Sequence, residues 1–307
     1  MPHTYGPVPS RRFGLSLGID LIPHKVCSYG CVYCQLGKTT DLTAVARDFA
    51  PVDEIVEEVA AALTRGPRPE VLTLAGSGEP TLYRDLELLN HRLRARFQIP
   101  LLLITNGATL WQPEVARAAL ATDILAPSLD AGDARTWRKI DQPAAGVTFE
   151  QMVEGLRAVT HAHTGEVRVE VMLVHKVNDS EESLQAIAGV LQTLRCDRID
   201  INTPVRPPGH SRPLTADEGA LARALELFGS KAAPIGHFEP RAVTAEIEGD
   251  AELVADTLFR RPCTAADLAA SLSMNPHQVL KLLDLLEVEG RVRRKQVGAE
   301  VWWQAGA

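Results

Sequence analysis

The chain has 307 residues, of which 45% are hydrophobic and 23% are charged, and its net charge is −7. This length and composition are those of a soluble globular protein with one large domain and a smaller one. The net charge argues against a strongly basic nucleic-acid-binding protein, and no apolar run is long enough to span a bilayer. Because the N-terminus also lacks an apolar signal region, we expect a cytoplasmic protein whose five cysteines stay reduced.

Strand-like and helix-like segments alternate from residue 15 to residue 201. The predicted strands are apolar runs that begin at Leu15, Val71, Pro100, Ile124, Val167 and Arg198. Helical periodicity follows the first five strands, at residues 53–64, 82–97, 113–120, 133–140, 149–161 and 180–194. This alternation predicts an α/β fold with a parallel sheet whose strands are buried on both faces. Six such units are too few for a complete eight-unit barrel.

A second unit is predicted after the sheet. Prolines concentrate at residues 203–213, where the barrel is expected to end, and a helix at residues 217–228 bridges to the remainder. Residues 251–259, 265–271 and 276–287 then read as helices, and residues 291–296 and 300–303 as a β-hairpin. Three helices and a hairpin are typical of a winged helix. We therefore divide the chain into domains at residues 1–240 and 248–307.

The motif with the clearest chemistry is a loop with Cys27, Cys31 and Cys34, spaced C-x3-C-x2-C. Three thiolates on a short loop can hold iron or zinc and leave one coordination position open. Iron–sulfur clusters usually have four cysteine ligands, so a set of three raises the question of a fourth ligand. Zinc sites usually pair ligands from two separate turns, and no second Cys/His pair follows at such spacing. The pattern favours a cluster, and Cys196 and Cys263 are expected to be structural.

Polar or small residues follow the predicted strands at the ends where active sites of such folds are built. After the second to fifth strands these candidates are Ser77, Gly78, Glu79, Asn106, Ser128, Asp130 and Asn178. Each one alone could equally be a turn residue or a helix cap. After the sixth strand, Arg206 would suit a carboxylate or phosphate, since its planar fork binds such groups bidentately.

With the aromatic Tyr33 just before the last cysteine, this loop resembles the signature of the radical S-adenosylmethionine (radical SAM) superfamily. The flanking residues 10–20 and 35–40 are similar to those of prokaryotic iron–sulfur oxidoreductases distantly related to the wyosine-forming tRNA enzymes. The resemblance implies a partial (β/α)6 TIM-like barrel. It also implies a [4Fe-4S] cluster held by Cys27, Cys31 and Cys34, whose fourth iron takes the amino and carboxylate groups of S-adenosylmethionine.

The same resemblance implies the reaction. One electron, from a donor such as flavodoxin or ferredoxin, cleaves S-adenosylmethionine at the reduced cluster. The resulting 5′-deoxyadenosyl radical abstracts a hydrogen atom from a substrate. The sequence leaves that substrate open among an RNA nucleoside, a peptide and a small metabolite.

Expected roles for the strand-end residues also follow from the resemblance. Residues 76–80 match the superfamily's Gly-Gly-Glu-Pro segment, which borders the methionine part of S-adenosylmethionine, with Ser77 in place of the commoner glycine. Ser128 is expected near the ribose, and Asp130 near either the ribose or the substrate, because hydroxyl and carboxylate groups suit ribose hydroxyls. Asn178 could approach the adenine, although its segment departs from the family's stricter form.

The charges of the second unit leave its partner open. The predicted third helix is acidic, with Asp284 and Glu287, which argues against binding DNA. The basic hairpin beside Trp302 and Trp303 could bind RNA by charge and stacking. It could also pair with a peptide strand or pack on the barrel. The alternative for the whole chain is a zinc-stabilised winged-helix regulatory or binding protein without radical chemistry.

Overall fold

The computed structural model describes residues 3–10, 12–64, 67–204, 215–235, 251–272, 274–297 and 300–306. Its strands are, in chain order, β1 (Thr4–Ser10), β2 (Gly14–Ile19), β3 (Val26–Cys27), β4 (Asp41–Leu42), β5 (Val71–Leu74), β6 (Leu101–Thr105), β7 (Ile124–Pro127), β8 (Glu166–Met172), β9 (Arg198–Asn202), β10 (Ala232–Pro234), β11 (Cys263–Thr264), β12 (Val292–Val297) and β13 (Glu300–Ala305). Its helices are α1 (Val52–Leu63), α2 (Leu86–Arg96), α3 (Pro113–Leu120), α4 (Ala134–Ile140), α5 (Phe149–Ala162), α6 (Glu181–Leu191), α7 (Glu218–Phe228), α8 (Ala251–Arg260), α9 (Ala265–Leu272) and α10 (Pro276–Val288). Arg206 lies outside the described residues.

Side-chain caps fix where several helices begin. Asp133 accepts from the backbone N–H groups of Arg135 and Thr136 at the start of α4. Ser180 accepts from Ser183 N at the start of α6, and Asn275 accepts from His277 N at the start of α10. These caps satisfy N–H groups that the first helical turn leaves without an intrahelical partner. Among the helices of the described residues, none is both long and apolar enough to cross a membrane.

The main sheet follows the chain in the order β1-β2-β5-β6-β7-β8-β9-β10. The strands from β2 to β10 pair in parallel, and β1 runs antiparallel to β2 at the edge. The six predicted strands are β2 and β5 to β9, so the predicted α/β architecture is confirmed. A parallel sheet whose strand order follows the chain is the arrangement of an open barrel, in which strand ends gather their loops on one side.

The inner face of this sheet is polar on its later strands. Along β8, Val167, Val169 and Val171 are buried in the main hydrophobic core, whereas Glu170 and Met172 lie half-buried on the opposite face. The expectation of apolar burial on both faces is therefore wrong for β8. The strict alternation along β8 was visible in the sequence, and it puts charged side chains inside the barrel.

The C-terminal unit consists of α8, α9 and α10 with the three-stranded antiparallel sheet β11-β13-β12. The three predicted helices and the predicted hairpin are all present, and β11 adds a strand that the sequence did not predict. The boundary expected between residues 240 and 248 lies outside the described residues, so the division into two domains stays a prediction.

The C-terminal unit packs against the barrel through β1. Val8 of β1 belongs to the hydrophobic core of the C-terminal unit, and Tyr5 packs against it. The guanidinium of Arg260 lies 4.5 Å from the centre of the Tyr5 ring. On β2, a Cβ at Gly18 would lie 2.0 Å from the Tyr5 ring, so Gly18 makes the space that Tyr5 fills. The C-terminal unit therefore covers the inner face of the β1–β2 edge.

Replacing Gly18 by alanine tests this packing. Gly18→Ala forces the Tyr5 ring away from β2 and should destabilise the protein by about 1–3 kcal/mol, as overpacked cores are. Thermal unfolding followed by circular dichroism measures the effect. Gly189→Ala on α6 is the matched control, because a Cβ there meets nothing within 4 Å. Equal unfolding midpoints for the two variants would contradict the close packing of Tyr5 on Gly18.

Candidate functional site

The three loop cysteines share one cavity. Cys27 ends β3, Cys31 and Cys34 lie in the loop that follows, and all three are half-buried. They line a cavity of about 360 Å³, to which Tyr33 and Ser77 also contribute. Within the described ranges, no group of His, Cys, Asp or Glu side chains is gathered so closely that it could hold a metal ion. The three cysteines nevertheless line one cavity, and ligands that bind separate irons of one cluster need not meet at a single ion.

The cysteine loop is held against the carboxyl end of β5 by its backbone. Lys25 N donates to Ser77 O at 2.7 Å, and Glu79 N donates to Val26 O at 3.1 Å. A Cβ at Gly78 would lie 2.0 Å from Val26 O. Only glycine permits this approach, so the residue type at position 78 sets the position of Cys27.

Ser77 is directed toward Asp20 at the end of β2. Asp20 Oδ1 accepts from Ser77 N at 3.0 Å, and its Oδ2 accepts from Ser77 Oγ at 2.6 Å. The same Oδ2 lies 3.6 Å from Nε of Arg260 in the C-terminal unit. Ser77 and Gly78 both line the thiol cavity. Asp20 therefore joins a wall of this cavity to α8.

Glu79 is buried and bonded to the neighbouring strand. Its carboxylate accepts from Thr81 Oγ1 at 2.7 Å, from Thr105 Oγ1 at 2.6 Å and from Asn106 N at 2.9 Å. Burial raises the pKa of Glu79, and these hydrogen bonds oppose that rise. Glu79 is absent from the described lining of the thiol cavity, and it holds the loop after β6 in place.

Asn106 reaches the cysteine loop. Its Nδ2 lies 3.6 Å from Cys27 Sγ and donates to Ser28 Oγ at 2.9 Å. Its Oδ1 accepts from Ala108 N at 3.0 Å, which fixes the orientation of the amide. Glu79 and Asn106 thus form a chain of contacts from β5 to the sulfur of Cys27.

A buried carboxyl pair lies behind the other two cysteines. Asp130 and Asp141 share a hydrogen bond. Tyr33 OH donates to Asp130, Met172 N donates to Asp130 Oδ1 at 2.8 Å, and Cys31 Sγ lies 3.5 Å from Asp141 Oδ1. Burial raises the pKa of Asp130 to about 7, and burial together with the charge of Asp130 raises the pKa of Asp141 well above its usual range. Two carboxyl groups this close share a proton rather than both ionise.

Asn178 and Ser128 are not among the described residues that line the thiol cavity. Asn178 is fully buried; its Oδ1 accepts from Val174 N at 2.7 Å, and its Nδ2 donates to the backbone oxygens of Asp130 at 2.8 Å and Met172 at 2.7 Å. Ser128 is half-buried, and its N donates to Thr105 O at 2.9 Å. Of the eight predicted cofactor contacts, Tyr33, Ser77 and Gly78 line the cavity. The roles of all eight stay predictions.

Polar residues on the inner face of the barrel also line the thiol cavity. Asn202 begins the segment after the sixth strand for which the sequence predicts contact with adenine or substrate, whereas Arg12 and Glu170 were not predicted as site residues. Arg12 NH1 lies 2.5 Å from Glu170 Oε2, and Asn202 Nδ2 donates to Glu170 Oε1 at 2.9 Å. All three line the thiol cavity, and the ion pair is mostly buried, with side-chain exposures of 15% and 14%. The alternation of valine with charged residues along β8 was the signal that could have identified Glu170.

Burial favours the neutral form of all three thiols in the protein without a cluster. Burial, with a further contribution from the charge of Glu79, raises the pKa of Cys27 to about 12. Burial also raises the pKa of Cys31 and of Cys34. Because metals bind the thiolate form, iron binding here must release protons.

The contact at Gly78 generates a test on the protein without cofactor. Gly78→Ala should push the peptide at Val26 away and so expose the thiol of Cys27. If the added methyl group destabilises the closed loop by about 1 kcal/mol or more, Cys27 should be labelled at least about fivefold faster. Mass spectrometry after brief treatment with a thiol reagent measures this rate. Gly30→Ala in the same loop is the control, since its Cβ meets atoms no closer than 3.6 Å. Unchanged labelling of Cys27 in Gly78→Ala would show that the close approach does not hold the loop.

Comparison with known proteins identifies the family. The chain matches the radical SAM superfamily over residues 21–187. It is 32% identical to a UPF0026 protein of Helicobacter pylori strain J99, over 97% of this chain and 96% of that protein. It is 35% identical to a protein named GTPase Obg from Brachyspira hyodysenteriae, over 96% of this chain. That alignment spans 44% of the Brachyspira protein, less than half its length.

A solved structure supports the fold. The crystal structure of a radical SAM methyltransferase from Sphaerobacter thermophilus superposes with a TM-score of 0.54 and 19% identity, over 71% of this chain and 66% of that one. This likeness confirms the predicted partial barrel. Radical SAM proteins use a [4Fe-4S] cluster and S-adenosylmethionine, so both predicted cofactors are confirmed for the family. The relation to wyosine-forming enzymes stays a prediction. The chain belongs to the radical SAM superfamily and, within it, to the UPF0026 family.

Proposed function

We propose that this protein is an enzyme that removes a hydrogen atom from a substrate bound inside the barrel. The observation that carries the proposal is that Cys27, Cys31 and Cys34 line one cavity together with Ser77 and Gly78. When bound there, a [4Fe-4S] cluster and S-adenosylmethionine supply the one-electron chemistry that such a step needs. The electron is expected from a small redox protein such as flavodoxin or ferredoxin.

We assign the cluster to the three loop thiols. They fit this group because they open onto a common space and because three ligands leave one iron available to another molecule. Asn106 Nδ2 at 3.6 Å from Cys27 Sγ can donate a hydrogen bond to the thiolate that forms when iron binds. Such bonds to ligand sulfur shift the reduction potential of an iron–sulfur cluster. Asn106 therefore acts in this proposal as a positioning and tuning residue.

The other predicted residues divide by their contacts. Ser77 and Gly78 line the cavity, and we assign them to contact the polar end of S-adenosylmethionine. Tyr33 lines the same cavity and is oriented by its hydrogen bond to Asp130. Asp130 is buried, with 3% of its surface exposed. We assign Asp130, Glu79, Ser128 and Asn178 to positioning the residues that line the cavity. Single substitutions test whether each of these side chains contacts a cofactor or only positions its neighbours.

The C-terminal unit is proposed to be a winged-helix-like domain at residues 248–307 that packs on the barrel. Trp302 and Trp303 are only 6% and 4% exposed, so neither ring is accessible as a stacking surface for RNA bases. Arg291 pairs with Glu252 at 2.6 Å, which neutralises part of the basic hairpin. These contacts favour packing over RNA binding among the uses considered for the hairpin. A zinc-stabilised binding protein is the rival for the chain as a whole.

Removing one thiol tests the assignment of the cluster. After anaerobic reconstitution with iron and sulfide, the natural chain should hold about four irons. Cys31→Ala should hold almost none, because two thiolates bind a cluster poorly, while its far-ultraviolet circular dichroism stays that of the natural chain. Iron and zinc analysis measures both.

Cys196→Ala is the matched control, because Cys196 is a buried cysteine outside the loop and should leave iron binding unchanged. Full iron loading of Cys31→Ala would contradict the ligand assignment. A natural chain that holds one zinc and no iron would instead support the rival binding protein.

A further inference from the structure

A second cavity lies where the C-terminal unit meets the barrel. It has a volume of about 430 Å³, and both parts of the chain line it. Ser16 and Thr73 contribute from the inner face of the barrel, and Arg261 and Trp302 contribute from the C-terminal unit. We call it the inter-unit cavity. A volume of this size is within the range of pockets that bind small molecules.

The inter-unit cavity adjoins the thiol cavity. Arg12, Gln35 and Gly76 line both. A molecule bound in the inter-unit cavity would therefore lie next to the space in which the cofactors are proposed to bind. This contiguity makes it a candidate compartment for the substrate, and in that respect the inference rests on the proposed function.

The charged side chains that line the inter-unit cavity are three arginines, Arg12, Arg260 and Arg261, and two acidic residues, Asp267 and Glu300. Arg12 forms its ion pair with Glu170, on the side of the thiol cavity. Arg261 is half-buried and makes no ion pair with any side chain in the described part of the chain. A guanidinium has five N–H donors in a planar fork, which matches a carboxylate or a phosphate. Arg260 is buried and lies 3.6 Å from Asp20, so we expect Arg261, together with Arg12, to attract an anion.

The acidic residues of the same cavity do not cancel this charge. Asp267 Oδ2 accepts from Thr264 N at 3.1 Å, where the two residues cap α9. Glu300 is exposed at the start of β13. Neither carboxylate pairs with Arg261, so its guanidinium stays available to a ligand.

The remaining walls are apolar or carry hydroxyl groups. Val8, Ile104 and Trp302 offer hydrocarbon surface. Ser16 Oγ and Thr73 Oγ1 lie 2.6 Å apart and bond to each other. More of the lining is polar than apolar, which suits a small ligand that carries a charged group beside some hydrocarbon.

We propose that the inter-unit cavity binds a metabolite-sized organic anion as the substrate, with its carboxylate or phosphate held by Arg261 and Arg12. The C-terminal unit is then a wall of the substrate site, with Trp302 packed in it, and the exposed hairpin is not the recognition surface. A folded RNA could not enter such a compartment without separating the two units.

Binding of simple anions to the full-length, cofactor-free protein tests this proposal. Titration calorimetry with succinate and with inorganic phosphate distinguishes the two anion classes. We expect one of them to bind, and Arg261→Gln to weaken that binding by about tenfold or more, because it removes the charge-assisted hydrogen bonds of the guanidinium. Arg12→Lys keeps the charge opposite Glu170 but loses the fork, so it should also weaken binding. Arg294→Gln on the hairpin, which is 66% exposed, is the matched control and should bind as the natural chain does.

The outcomes separate this inference from the proposed function. If neither anion binds, or if Arg261→Gln binds as tightly as the natural chain, the anion site is wrong. If Arg294→Gln loses the binding of the anion, the hairpin is the recognition surface instead. The same conclusion follows if a transfer RNA binds to the natural chain and not to Arg294→Gln. Iron loading of Arg261→Gln should equal that of the natural chain, because Arg261 does not line the thiol cavity. Failure of loading in the natural chain would overturn the proposed function and leave the calorimetric result unaffected.

Discussion

The arrangement of this protein depends on the close approach of two backbone segments, at Gly78 and at Val26. The loop after β5 and the loop that carries the cysteines touch there with no room for a side chain, since a Cβ on Gly78 would lie 2.0 Å from Val26 O. Two backbone hydrogen bonds flank the contact. Because packed backbone cannot yield as a flexible side chain can, this contact fixes Cys27 relative to the carboxyl end of the sheet.

The same contact connects the thiol cavity to the C-terminal unit. Ser77 precedes Gly78, and its N–H and hydroxyl bond to Asp20, which in turn lies 3.6 Å from Arg260. Near the cysteine loop, the rings of His24 and Phe259 lie 4.7 Å apart. A change in the position of α8 would therefore shift Asp20 and, through it, Ser77 in the wall of the thiol cavity. In this protein the added C-terminal unit is structurally continuous with the proposed cofactor site, which is why we place the substrate between them.

The sequence predicted the features that depend on local pattern. Apolar runs located six of the seven parallel strands of the main sheet, all but the short β10, and the cysteine spacing located the thiol loop. It missed β1, because Gly6, Pro7 and Pro9 suggest a turn; an edge strand tolerates such residues. It also missed Asp141, which only the folded chain brings to within 3.5 Å of Cys31. The sequence left the hairpin open between RNA stacking, peptide pairing and packing on the barrel, because the burial of Trp302 and Trp303 depends on tertiary contacts that no local pattern contains.

The central claim is that three thiols hold a cluster and leave one iron for S-adenosylmethionine. Mössbauer spectroscopy of the full-length protein, reconstituted with isotopically enriched iron, tests it most directly. We expect the spectrum of a [4Fe-4S] cluster, in which the signal of one iron site changes when S-adenosylmethionine is added and the signals of the other sites do not. A spectrum without a [4Fe-4S] cluster, or one that S-adenosylmethionine leaves unchanged, would contradict it.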